Sequence, residues 1–136
     1  MTAQFGYTIF YVDDVAATLD FFTAAFDIPQ RFVSPDGDYG ELITGETTLS
    51  FAANELAGTN LDKAGGFTPL RPSDPPVGAS ITLITDEVDA TVERALAHGA
   101  TRYTATADKP WGQTVAYVRD ANGILLEIAT PVAAPD

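Results

Sequence analysis

The chain contains no cysteine, one histidine, one tryptophan and seven basic residues among 136. Without thiols there are no disulfides, cysteine nucleophiles or thiolate metal sites, and the redox compartment is left open. The single histidine, His98, precedes Gly99 at the end of an amphipathic stretch. A helix C-terminus, where a donor complements the dipole, is its expected place. No His–Asp–Ser arrangement can be assembled around it. The basic residues stand singly, so the basic face that nucleic acid or an anionic membrane needs is missing. Nineteen acidic residues give a net charge of −12, an acidic surface that favours solubility and mildly attracts cationic ligands. No apolar run approaches the roughly 20 residues of a membrane span. The start, MTAQFGYTIF, lacks the basic segment and long apolar core of a signal peptide. A cytoplasmic protein with neither a nucleic-acid nor a membrane partner is expected.

What is present is an ordinary globular composition, 46% hydrophobic and 19% charged. The length suits one domain, or two small modules sharing a core. Phe5 to Val12 reads as a strand, aromatic and β-branched apart from Gly6. Asp13-Asp14 offers an N-cap and first-turn carboxylates. Val15, Leu19, Phe22 and Phe26 then mark one face of a helix, which Asp27-Ile28-Pro29 stops. Short strands follow over 30–34, 39–44 and 47–52, separated by PDGD and GE turns. Residues 54–78, rich in Gly, Pro, Asn and Asp, read as a linker with one turn of helix at Asn54–Ala57. A connection that long is usually functional or mobile.

The pattern then returns. Ala79 to Thr85 reads as a strand and Asp86-Glu87 as the cap of a helix carrying Val88, Val92 and Ala95. Gly99 is its C′ residue. Thr101 to Thr106 is a third strand, and a hairpin closes the chain: Gln113 to Arg119, the turn DANG, and Ile124 to Ala129. Asn122-Gly123 suits positive φ. DDVAATLD lies over DEVDATVE at an offset of 73 residues (13 to 86), and TTLSFA over ILLEIA at an offset of 77 (49 to 126). The chain is therefore an internal duplication of β-α-β-β-β, with module one at 4–53, a linker at 54–78 and module two at 79–131. Glu127, alone in the apolar strand LLEIA, is either solvent-facing on a half-buried strand or aimed into a site.

A tandem β-α-β-β-β pair, with YVDDVAATLDFF after the first strand and WGQTVAYVRDANGILLEI in the last hairpin, resembles the vicinal oxygen chelate superfamily. Glyoxalase I, extradiol dioxygenases and bleomycin-resistance proteins belong to it. The resemblance covers the whole chain apart from the linker. It implies an α+β fold in which the modules curl around a cleft, and a homodimer. In the enzymes the cleft metal is bound from the first and last strands of each module by His, Gln or Glu. Carried onto this sequence those positions are Tyr7, Ser50, Ser80 and Glu127, at the same offsets of 73 and 77. Only Glu127 is a ligand type, since a phenol and two alcohols are poor donors to such cations at neutral pH. No metal or other cofactor is expected.

Strand alternation then proposes a lining. With Tyr7 facing the cleft, Phe5, Ile9 and Tyr11 share its face, as do Ser50 with Thr48, and Glu127 with Leu125. On the third strand alternation allows either Tyr39 and Glu41 or Gly40 and Leu42 to face in, and the resemblance favours the first pair. Trp111 overhangs the rim, and Phe67 in the linker is placed to close over it. Phe10, Phe22, Phe26 and Phe51 read as ordinary core. Such a lining suits a flat, largely apolar ligand with a few polar anchors. The expected ligand-binding residues are Tyr7, Tyr39, Glu41, Ser50, Phe67, Ser80, Trp111 and Glu127, with no catalytic residue assigned. The function expected is metal-independent sequestration of an aromatic antibiotic, as in the metal-free resistance branch. An enzyme of the same superfamily, metal-free acid–base or metal-dependent, is the alternative.

Overall fold

A computed structural model describes residues 2–132; Met1 and residues 133–136, the ends of the expected 1–136 domain, lie outside the described residues. The fold is α+β, with three α-helices and two mixed sheets. The chain divides into two compact units, Met1–Leu70 and Arg71–Asp136.

The first unit runs β1 (Tyr7–Val12), α1 (Val15–Phe26), β2 (Gln30–Val33), β3 (Tyr39–Leu42) and β4 (Thr48–Ala53). Its sheet has the order β1-β4-β3-β2, with β1 parallel to β4 and the other pairs antiparallel. Helix α1 begins where Asp14 accepts the backbone N–H of Ala17 at 3.0 Å. It ends at Asp27, whose φ of 61° is a left-handed cap. Replacing Asp14 by alanine removes that acceptor, and the expected loss is about 1 kcal/mol in urea unfolding. Leu19 and Phe22 of α1 are fully buried against Leu42 and Phe51 of the sheet. The Phe22 and Phe51 ring centroids stand 5.3 Å apart. A methyl group at Gly40 would come within 2.5 Å of Leu19 Cδ1, so the middle strand can lie on the helix only because that position is bare.

The stretch after β4 is more ordered than its composition indicates. It forms α2 (Asn54–Leu61) and a 3-10 turn over Asp62–Ala64, in place of a single turn of helix. Asn54 Nδ2 donates to Asp13 Oδ1 at 2.6 Å, which ties the start of α2 to the entry of α1. Farther on, the Phe67 ring packs edge-on against Tyr11 of β1, with centroids 5.0 Å apart.

The second unit runs β5 (Ile81–Ile84), α3 (Val88–Ala97), β6 (Thr101–Arg102), β7 (Ala107–Asp108), β8 (Thr114–Arg119) and β9 (Leu125–Ala129). Its sheet has the order β5-β9-β8-β6, β7 also pairs with β8, and β5 is parallel to β9. Val92 and Ala95 of α3 are buried, as are Ala116, Val118, Leu126 and Ile128 on β8 and β9. The expected cap at Asp86-Glu87 makes no side-chain bond to the helix; instead the N–H of Glu87 donates to Thr85 Oγ1 at 3.1 Å. The continuous strand expected over 101–106 is broken. Tyr103 and Thr104 both donate their N–H to the Tyr117 carbonyl, while Thr104 Oγ1 accepts the Tyr117 N–H at 3.0 Å. Two residues thus oppose one, and a side-chain hydroxyl replaces a ladder carbonyl, which is a bulge.

Candidate functional site

Each sheet has one face covered by its helix and one open face. In the first unit the register sets Ile9 and Glu41 on either side of Ser50, and Tyr39 and Tyr11 on either side of Ala52. Gly40 faces α1, so its neighbours Tyr39 and Glu41 take the open face, as strand alternation requires. Tyr39 Oη donates to Glu41 Oε2 at 2.8 Å, and Arg31 Nε stands 3.4 Å from Glu41 Oε1. Burial raises the Tyr39 phenol above its ordinary pKa; the Ser50 hydroxyl opposes that rise, and the Glu41 carboxylate adds to it. Tyr39 is therefore a donor at neutral pH. Ser50 is fully buried and donates to the Thr8 carbonyl at 3.1 Å. Tyr7, opposite Thr48, is 55% exposed.

In the second unit, Glu127 lies between Thr82 on β5 and Tyr117 on β8. Thr82 Oγ1 donates to Glu127 Oε1 at 2.8 Å, and Tyr117 Oη donates to Oε2 at 2.6 Å. The bond to Glu127 is the main cause of a raised Tyr117 pKa, with burial and the carboxylate charge adding. Held from both sides, the carboxylate has one orientation. Ser80 lies exposed just before β5, so Thr82, two residues farther on, is the side chain that meets Glu127. Trp111 is 62% exposed, and its Nε1–H donates to Gln113 Oε1 at 2.6 Å.

The eight expected residues are divided between the two units. Tyr39, Glu41 and Ser50 come together, and Phe67 joins them on the open face through Tyr11. Glu127 gathers Thr82 and Tyr117, which the sequence reading had left as plain strand residues. Tyr117 was within reach: the four residues between Arg119 and Ile124 put 119 opposite 125 and 117 opposite 127. Thr82 carried no such signal, because no tight turn sets the register of a parallel pair, and Arg31 sits where the antiparallel β2–β3 register shifts between Gln30 and Phe32. A separate depression at the start of α2, lined by Asp36, Asp38, Glu55, Leu56 and Thr59, includes none of the eight.

The metal site of the resembled enzymes does not fit these residues. Ser50 is turned to a backbone carbonyl, Tyr7 is a phenol, a poor donor to such cations, and both Glu127 oxygens already accept hydroxyl protons. Among the described residues, no three His, Asp or Glu side chains stand close enough to share a cation.

Residues 4–128 match the sequence pattern of the glyoxalase/bleomycin resistance protein/dioxygenase superfamily. An uncharacterized protein of Mycobacterium tuberculosis is 34% identical over 125 residues, covering 89% of this chain and 71% of that protein. A glyoxalase-related enzyme from Fulvimarina pelagi superposes with a TM-score of 0.77 at 19% identity, over 98% of this chain and 94% of that one. A superfamily enzyme from Burkholderia phytofirmans gives 0.74 at 22% identity, over 94% and 98%. At such identities the two structures speak for the fold alone. No helix among the described residues is long and apolar enough to cross a membrane. From the matched sequence pattern and the shared fold together, the chain belongs to the glyoxalase/bleomycin resistance protein/dioxygenase superfamily.

Proposed function

We propose that this protein binds and sequesters a flat aromatic small molecule, most readily an antibiotic, without a metal. The observation that carries this reading is the make-up of the open sheet faces. Exposed Tyr7 and half-buried Tyr39 stand there on the first unit, and half-buried Tyr117 on the second. The phenols of Tyr39 and Tyr117 are hydrogen-bonded to Glu41 and Glu127, and Thr82 is also bonded to Glu127. Exposed rings offer stacking area at little entropic cost, and a locked carboxylate fixes orientation. A homodimer in the cytoplasm, as in the resistance branch that the chain resembles, completes the proposal.

Titration with flat polycyclic and glycopeptide-type antibiotics, in buffer containing a chelator, tests it. Micromolar or tighter binding is expected, with Trp111 fluorescence quenched and the melting temperature rising with ligand concentration. Silence across a broad panel would sink the reading. The short Tyr117–Glu127 bond favours a second reading, proton transfer on a bound aromatic substrate. Product formed under chelator and abolished by Glu127→Gln would put that reading first.

A further inference from the structure

The charges on the two open faces are not alike. Glu41 has the Arg31 guanidinium 3.4 Å away. Glu127 has no cation. Among the described residues the only ion pairs are Arg31–Glu41 and Arg102–Glu93, and the two partners of Glu127 are neutral hydroxyls.

The reason lies with Arg119. It stands two residues along β8 from Tyr117, opposite Leu125, so strand alternation puts it on the same face as Glu127. Its guanidinium is committed elsewhere. Nε and Nη2 donate to the Gly123 carbonyl at 3.1 and 3.0 Å. Nη1 donates to the Pro72 and Asp74 carbonyls at 3.1 and 2.8 Å, and Nη2 also to the Arg71 carbonyl at 3.3 Å. A guanidinium has five N–H donors, and here all are taken by backbone oxygens. A carboxylate accepts about four hydrogen bonds, and Glu127 receives two. Its neighbours on that face include Leu125, half-buried, and Ile84, 56% exposed. A half-buried charge beside apolar side chains, oriented but uncompensated, gains most from a cationic donor that brings its own apolar body.

We infer that the open face of the second unit selects ligands bearing a protonated nitrogen, ammonium or amidinium, next to a flat apolar ring, with Glu127 as the anionic anchor. The inference rests on the ligand-binding reading above and specifies its ligand. Thr82 and Tyr117 are positioning residues: they hold the carboxylate plane so that its free lone pairs face the incoming N–H. Arg119 acts by being occupied, since a free guanidinium on that face would neutralise the anchor as Arg31 does Glu41.

Three acridines of one ring shape test this in chelator-containing buffer at neutral pH: cationic 9-aminoacridine, neutral acridine and anionic acridine-9-carboxylate. Probe fluorescence anisotropy reports binding. The wild type is expected to bind 9-aminoacridine about 10- to 100-fold tighter than acridine, the range of a charge-assisted contact. Glu127→Gln should abolish that preference, so that the cationic and neutral probes bind the variant equally. Glu46→Gln, an exposed turn position that removes the same single charge, should keep it. Equal affinities for the cationic and neutral probes, a preference for the anionic one, or an effect of Glu46→Gln matching that of Glu127→Gln would overturn the inference while leaving aromatic binding standing. No binding of any probe would count against the binding reading and the inference together. The wild-type preference needs no variant to fold, so it alone can overturn the charge assignment.

Discussion

Gly123→Ala is expected to lower folding stability by about 3 kcal/mol, and Gly112→Ala by about 1 kcal/mol. Both glycines have positive φ, 94° and 99°, so a Cβ strains the backbone at either position. Only at Gly123 does it also meet other atoms. A methyl group there would stand 2.8 Å from Arg119 Nη2 and 3.0 Å from both the Arg71 carbonyl and Pro72 Cα, whereas nothing lies within 4 Å at Gly112. The bare position lets the segment over 71–74 lie against the hairpin, where Arg119 binds its carbonyls. Alanine therefore adds overpacking to strain and pushes the guanidinium off its acceptors. Urea unfolding of the two variants side by side decides the matter. Equal losses would mean that the Arg119 contacts hold nothing in place. A larger loss at Gly123, with faster amide exchange in residues 71–74, is the expected result.

The second large effect is at Asp120, 4% exposed at the start of the same turn. Its Oδ1 accepts the backbone N–H of Asn122 at 3.0 Å and of Ile124 at 2.8 Å, and Oδ2 accepts Asn122 Nδ2 at 2.8 Å. Asp120→Ala removes the carboxylate that accepts from two backbone N–H groups, that of Ile124 being buried, and should cost about 3 kcal/mol. Asp120→Asn keeps an acceptor oxygen and should cost much less. The two variants also separate in their pH dependence. Burial raises the Asp120 carboxyl above its ordinary pKa, against the opposing hydrogen bonds from Asn122, Ile124 and Gly123. A carboxyl raised on folding binds its proton more tightly in the native state. Its contribution is then fully present below the unfolded-state value and declines as pH rises through the folded one. Asparagine does not titrate. The stability of Asp120→Asn relative to wild type should improve as pH rises from acid to neutral. A difference that stays flat or falls over that range would show that the hydrogen bonds outweigh burial.

Both predictions fall on a turn whose outline is plain in the residues D-A-N-G. Its energetics are not. Asn122-Gly123 invites positive φ at both positions, yet only the glycine takes it. Asp120 reads only as the first residue of a turn, and in the structure it is the buried acceptor that organises that turn. Local chemistry names a turn; what is buried beneath it depends on the segment at 71–74, some 50 residues earlier in the chain.

The sequence by itself determined the duplication, the α+β class, both long helices with their apolar faces, and the superfamily. Each depends on period and repetition, which a single chain displays directly. Helical spacing, strand alternation and the offsets of 73 and 77 need no partner to be read. Alternation sets parity along a strand but left the face of Glu41 and Glu127 open, and only the family resemblance favoured the cleft side for both. Only the tertiary structure decided what those carboxylates touch. Thr82 reaches Glu127 across the parallel β5–β9 pair, and Tyr117 reaches it across the hairpin. Arg31 meets Glu41 from a strand two places from β4, and Arg119 turns its charge to a segment far back in the chain. Whether a charge is compensated depends on distance in space. That is why Glu41 has a cationic partner and Glu127 has only neutral hydroxyl partners.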